Sequence, residues 1–168
     1  MSTKSIILNA EQIEQKINRI AYQITENNIG EKEIIIAGIA NSGYTFAQKV
    51  AQVLKKISEL KITLGKIEID KKNPLSKELN FSLKESEYKN KVVIIFDDVL
   101  NSGKILAYTS KFFLNTPLKK LACAVLVNRD HPSYPVSAEY VGLSLSTTLK
   151  DLVHVEFKEK GKSVVYLT

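Results

Sequence analysis

Val92-Val93-Ile94-Ile95-Phe96-Asp97-Asp98-Val99-Leu100-Asn101-Ser102-Gly103-Lys104 is the stretch that decides the fold. Its unbroken apolar opening is what a strand buried on both faces of a parallel sheet requires. Two carboxylates then appear where that strand leaves the core. Burying an unpartnered carboxylate is costly, and adjacent carboxylates repel, so both must meet solvent, a donor or a metal. A ribose offers two vicinal hydroxyls that can each donate to a carboxylate. Asn101, Ser102, Gly103 and Lys104 lead into a helix. Small residues let backbone amides approach a phosphate, and a helix N-terminus adds favourable potential. Ser102 can donate its hydroxyl and Lys104 can supply charge, so one short segment can hold the diol and the 5-phosphate of one sugar. An isolated Asp-Asp pair more often starts a turn and caps a helix. The apolar run before this pair and the Ser-Gly-Lys after it favour a site.

Outward from this segment, strands and helices alternate. Residues 9 to 28 read as an amphipathic helix, with Asn9 as cap, Gln12 at its third position, and Ile13, Ile17, Ile20, Ala21 and Ile24 on one face. Gly30 supplies a stop. Residues 33 to 37 read as a buried strand, Gly38 to Gly43 as a turn, and the spacing of Phe46, Val50, Val53, Leu54 and Ile57 as a second helix. Residues 61 to 69 read as a strand, and the polar stretch 70 to 90 as a functional loop or a projecting hairpin. Asp97 to Gly103 reads as a turn, followed by a helix to about Asn115 and a strand over Leu121 to Val127. Asn128 to Ser137 reads as irregular, with tail strands at Glu139 to Leu143, Val153 to Phe157 and Val164 to Leu167. This order predicts an α/β fold with a mostly parallel central sheet flanked by helices. Ligands of such sheets bind beyond the carboxyl ends of the strands, where both turns lie.

The 168 residues suit one domain. The hydrophobic fraction of 44% and charged fraction of 25% are those of an ordinary soluble protein. No apolar run is long enough to span a bilayer, and the polar N-terminus lacks the pattern of a signal peptide. The single cysteine, Cys123, lies in an apolar run and reads as a core thiol. These features predict a cytoplasmic protein. The net charge of +6 favours anionic partners without choosing among them. Neither His131 nor His154 shows metal-ligand spacing, and no Ser-His-Asp or Cys-His arrangement is assignable.

The segment from Phe96 to Lys104 resembles the phosphoribosyl-diphosphate (PRPP) motif of type I phosphoribosyltransferases: a hydrophobic run, two acids, two apolar residues and a small Ser-Gly loop. The likeness extends along nearly the whole chain and is closest to the PyrR family of pyrimidine-operon regulators and uracil phosphoribosyltransferases. Ile6-Ile7-Leu8 with the helix after it, the Gly38-Ile39 turn, Ala124 to His131, and Pro135 to Gly142 match that pattern in order.

The resemblance implies a single domain over 1–168, with a small hood contributed mainly by about 128–142 and the C-terminal strands. It implies transfer of ribose 5-phosphate from PRPP to a nucleobase, uracil favoured, with Mg²⁺ held mainly by PRPP, release of pyrophosphate, and a homodimer or higher homo-oligomer. Asp97, Asp98 and Asn101 would be the catalytic set. Asn101, Ser102, Gly103, Lys104 and Ile105 would hold the 5-phosphate, and Ala40, Asn41, Ser42 and Gly43 the pyrophosphate. Asn128, Arg129 and His131 would belong to the base and hood region. Three departures mark this chain. Ala40-Asn41-Ser42-Gly43 replaces the family's Lys-Thr-Arg-Gly, Lys72-Asn73-Pro74-Leu75 stands about where Tyr-Arg-Asp-Asp is usual, and Ile105 replaces a Thr. The lost cation points to an alternative, a catalytically weakened PRPP- or nucleotide-binding regulator; Lys71, Lys72 and Lys104 are the candidates to replace it. RNA binding, another family role, is disfavoured. Arg19 survives, but Tyr22, Asn27, Leu149 and Leu152 replace basic residues common in relatives.

Overall fold

Residues 4–168 are described by the computed structural model, and residues 1–3 of the expected 1–168 unit lie outside them. In chain order the elements are β1 (Ser5–Leu8), α1 (Ala10–Asn27), β2 (Glu33–Ile39), α2 (Ser42–Ile57), β3 (Lys61–Glu68), β4 (Asn80–Phe81), α3 (Glu85–Tyr88), β5 (Val92–Leu100), α4 (Lys104–Phe113), β6 (Lys120–Asn128), β7 (Tyr140–Ser144), β8 (Val153–Glu156) and β9 (Val164–Leu167). Among the described residues the main sheet has six strands in the order β4-β3-β2-β5-β6-β7. All its pairings are parallel except that of β4 with β3. A smaller antiparallel sheet has the order β1-β9-β8. The mostly parallel α/β architecture is the one the alternation predicts.

β5 separates two cores. Ile94 and Phe96 pack with Phe46, Val50 and the buried face of α1, while Val93 and Ile95 pack with Leu106, Phe113, Phe81 and Tyr88. The alternation follows from the two-residue period of a strand covered on both sides. Phe46 meets Phe96 edge-on at 5.3 Å, and Phe81 meets Phe113 at 5.0 Å. The cap of α1 forms as its sequence predicts: Gln12 N–H donates to Asn9 Oδ1 and Asn9 N–H donates to Gln12 Oε1, each at 2.9 Å.

Several boundaries differ from expectation. β2 runs on through Ile39, and α2 already begins at Ser42, so the turn shrinks to Ala40 and Asn41, which a cis peptide bond joins. β5 carries on through the acidic pair to Leu100 because its ladder to β6 continues to the Leu100–Asn128 pair. The polar stretch 70 to 90 contains β4 and α3, anchored by Phe81 and Tyr88. β7 pairs parallel with β6, so residues 140 to 142 belong to the main sheet and not to the hood; β1 joins the small sheet instead. No helix among the described residues is long and apolar enough to cross a membrane.

Candidate functional site

The carboxyl ends of β5 and β3 border a cavity of about 260 Å³, lined by Lys71 and by every residue from Asp97 to Leu106. Asp97, Asp98, Asn101, Ser102, Gly103, Lys104 and Ile105 are thereby brought together. Asp97 is only 4% exposed. The strand delivers it into the edge of the core, and the N-terminus of α2 closes over it: a Cβ on Gly43 would lie 2.9 Å from both the Asp97 Cα and its Oδ1. Only glycine allows that approach.

Each acid is oriented by the next amide. Asp98 N–H donates to Asp97 Oδ1 and Val99 N–H donates to Asp98 Oδ1, both at 2.9 Å. Lys71 Nζ stands 3.4 Å from Asp97 Oδ1. Burial pushes the Asp97 carboxyl up to about 8, the Asp98 carboxylate adds to the rise, and Lys71 opposes it. The pair therefore combines a buried acid at the cavity floor with a half-buried neighbour, hard oxygen acceptors suited to a diol or to part of a divalent cation's shell. Among the described residues, no group of three or more His, Cys, Asp and Glu side chains could hold a metal by itself.

The loop beyond β5 turns through Gly103 at φ 83°, a conformation glycine adopts without strain, and starts α4 at Lys104. No backbone carbonyl among the described residues accepts from the amides of Ser102, Gly103, Ile105 or Leu106, while Lys104 N–H donates to Ser102 Oγ at 3.3 Å. Free amides at a helix N-terminus are an anion-binding arrangement. Ile105 adds no hydroxyl, so donation here falls to Ser102 and the backbone.

The expected hood residues lie behind this loop and brace it. Ser133 and Tyr134 amides donate to the Ser102 carbonyl at 2.8 and 3.1 Å. Arg129, 8% exposed, donates to Asn101 Oδ1 at 2.9 Å, to Thr147 Oγ1 at 3.2 Å and to the Thr148 carbonyl at 3.1 Å. His131 Nε2 lies 2.6 Å from the Thr147 carbonyl, which can only accept, so Nε2 carries the proton. Asn128 Oδ1 accepts from the Asp130 amide at 3.0 Å. Asn101 is thus an anchored amide with no capacity to take a proton. Thr147 and Thr148 are partners that sequence reading did not find; a Thr pair after an edge strand gives no signal of such a role.

Of the expected pyrophosphate residues, Ala40 is fixed by its amide donating to the Ile67 carbonyl at 2.9 Å, while Ser42 and Gly43 form the first turn of α2. No cationic side chain belongs to this turn. Outside the cavity, Arg19 donates to the Val141 carbonyl at 2.7 Å and also to that of Gly142, so it clamps β7. His154 stacks on Tyr166 with ring centres 5.0 Å apart and bonds Thr168 Oγ1 at 2.9 Å. Cys123 is buried, its thiol pushed up to about 11 chiefly by that burial, as suits an inert core residue.

The family model described as phosphoribosyl transferase domain matches residues 3–161. The bifunctional protein PyrR of Clostridium novyi is 31% identical over 170 residues, covering 95% of this chain and 93% of that protein. The bifunctional protein PyrR of Enterococcus faecalis is 32% identical over 164 residues, covering 94% and 92%. Among solved structures, a hypoxanthine-guanine phosphoribosyltransferase from Bacillus anthracis superposes with a TM-score of 0.72 at 21% identity, covering 86% of this chain and 84% of that one. A Trypanosoma cruzi hypoxanthine phosphoribosyl transferase superposes with a TM-score of 0.76 at 15% identity, covering 98% and 91%. The superpositions establish a shared fold, and the sequence matches establish descent. The chain belongs to the phosphoribosyl transferase domain family and is homologous to its PyrR-like members.

Proposed function

We propose that this chain binds the ribose 5-phosphate moiety of PRPP or of a nucleoside monophosphate in the cavity between Asp97 and Leu106, as a regulator whose transfer chemistry is weakened. One observation carries the reading: the acid pair and the unpaired amides of the Ser102–Leu106 turn line one cavity of sugar-phosphate size. Asp97 and Asp98 take the ribose hydroxyls. Ser102, Gly103 and the first amides of α4 take the 5-phosphate, with Lys104 adding charge. Arg129 and His131 hold the loop in shape through Asn101 and Thr147.

Weakened transfer follows from two features. The Ala40–Gly43 turn offers backbone and the Ser42 hydroxyl to a departing pyrophosphate, but no cation, and electrostatic stabilisation of developing charge is usually the largest catalytic contribution. Asn101 supplies no base. Mg²⁺ fits the donors present: it commonly binds through one or two carboxylates plus substrate phosphates, and the half-buried Asp98 at the cavity would supply one while PRPP supplies the phosphates. When bound it would neutralise diphosphate charge.

Transfer to uracil is the second reading, favoured by the 32% identity to a bifunctional PyrR over most of both chains. RNA binding is set aside in this reading: Arg19, its surviving candidate, donates through Nη2 to two β7 carbonyls, which gives it a structural role. The test titrates PRPP with Mg²⁺, and separately UMP, into the protein by calorimetry, then adds uracil, hypoxanthine or guanine and follows pyrophosphate. The regulator reading expects saturable binding and little release. Turnover near about 10 s⁻¹, the median for enzymes, would replace it with the transferase reading. No binding of either ligand would end both.

A further inference from the structure

Lys71 reaches Asp97 by a route that passes over the cation-free turn. β3, which leads to Lys71, and β5, which carries Asp97, lie on opposite sides of β2. Two strand spacings amount to roughly 10 Å, so an ammonium group 3.4 Å from Asp97 Oδ1 must lie across the carboxyl end of β2. That end is the Ala40–Asn41 turn. The same Asp97 oxygen lies 2.9 Å from where a Gly43 Cβ would be, which places Lys71 Nζ near the start of α2 as well. The turn and the Lys71 loop leave the sheet together, because Ile39 pairs with Ile67 and the Ala40 amide donates to the Ile67 carbonyl.

The backbone turn that carries Lys71 is pinned. Asp70 Oδ1 accepts from the Lys72 and Asn73 amides at 2.9 and 3.0 Å, and its Oδ2 accepts from Ser76 Oγ at 3.0 Å. These bonds hold the Asp70 carboxyl below its usual range, the Asn73 amide contributing most. Lys72 does not line the cavity, whereas Lys71 does. Lys104 starts α4, at the 5-phosphate end of the loop.

We infer that Lys71 supplies from the β3–β4 loop the positive charge absent from the Ala40–Gly43 turn, grips the diphosphate arm of PRPP, and makes the site selective for PRPP over ligands with a 5-phosphate alone. This rests on the reading that the cavity takes ribose 5-phosphate. Without ligand, Lys71 pairs with Asp97. When the ribose diol takes Asp97, the ammonium group transfers to the diphosphate oxygens over the turn. Asp70 is the positioning residue.

The test compares the dissociation constants of PRPP with Mg²⁺ and of ribose 5-phosphate in wild type, Lys71→Met, Lys71→Arg and Asp70→Ala. The wild type is expected to prefer PRPP, and Lys71→Met to cut that preference about tenfold or more, as losing a charge-assisted contact does. Ribose 5-phosphate affinity should not fall with it. Lys71→Arg should keep most of the preference, and Asp70→Ala should lose part of it. An equal fall for both ligands in Lys71→Met would reduce Lys71 to a support for Asp97 and overturn the inference, as would an unchanged ratio. Either result leaves ribose 5-phosphate binding standing. Absence of ribose 5-phosphate and PRPP binding in the wild type would remove the inference together with the reading under it.

Discussion

Arg129 Nη1 donates to Asn101 Oδ1 at 2.9 Å, joining the residue after β6 to the residue after β5. The same guanidinium holds Thr147 and Thr148, so three loops share one planar donor. A lysine cannot reproduce that fork. Arg129→Lys is expected to lower ribose 5-phosphate affinity by about tenfold and stability by about 1–3 kcal/mol, because buried acceptors lose their donor. Calorimetry and urea denaturation measure the two effects separately; an unchanged affinity would mean that the brace does not shape the loop.

Asp97 makes stability fall with rising pH. Its folded-state value near 8 lies above the ordinary carboxyl value of 3.8. Between those values the folded state keeps a proton that the unfolded chain has lost, so stability is lost as pH rises through that window. Asp97→Asn should remove this slope and stabilise the protein at pH 8 by on the order of 2 kcal/mol, about 4–8 °C in melting temperature, while abolishing sugar binding. Melting curves at pH 5 and pH 8 for both proteins check the sign. A variant less stable at pH 8 would contradict it.

Gly103→Ala tests the turn. The residue has φ 83°, and a Cβ there would strike the Val136 side chain. The expected cost is about 1–3 kcal/mol of stability, with phosphate binding lost because the amides of the turn are re-aimed. Phosphate affinity retained at the wild-type level would show that the turn does not carry it.

Arg19→Ala is expected to destabilise by about 1–3 kcal/mol, since two carbonyls of the edge strand β7 lose a charged donor. Binding of a structured leader RNA at low salt should be equally weak before and after the change. Wild-type binding that the variant loses would restore a nucleic-acid role.

Much of this was legible in the sequence, for identifiable reasons. The run Val92 to Phe96 specified a buried strand because it is short, continuous and mostly β-branched, and Asn9 with Gln12 declared a helix start. The extension of β5 through Asp97 to Leu100 was not legible, because two charged residues look like the end of a strand when the neighbouring ladder cannot be seen. Lys71 was one of three candidate lysines; its place in the cavity lining, its contact with Asp97 and the order β3-β2-β5 together single it out. Arg19 looked like a surviving recognition residue, and its actual partners lie 122 and 123 positions away in sequence. Arg129 is expected from sequence in the base and hood region; its hydrogen bonds to Asn101, Thr147 and Thr148 join partners 28, 18 and 19 positions away, which no local pattern reveals.

The most direct measurement is a calorimetric titration of ribose 5-phosphate into the wild type and into the double variant Asp97→Asn, Asp98→Asn. Saturable binding is expected for the wild type, and a loss of at least about tenfold for the double variant, whose fold persists because both changes keep the side-chain volume and the buried Asp97 site gains a neutral side chain. Equal affinity in the two proteins would mean that the acid pair does not hold the sugar.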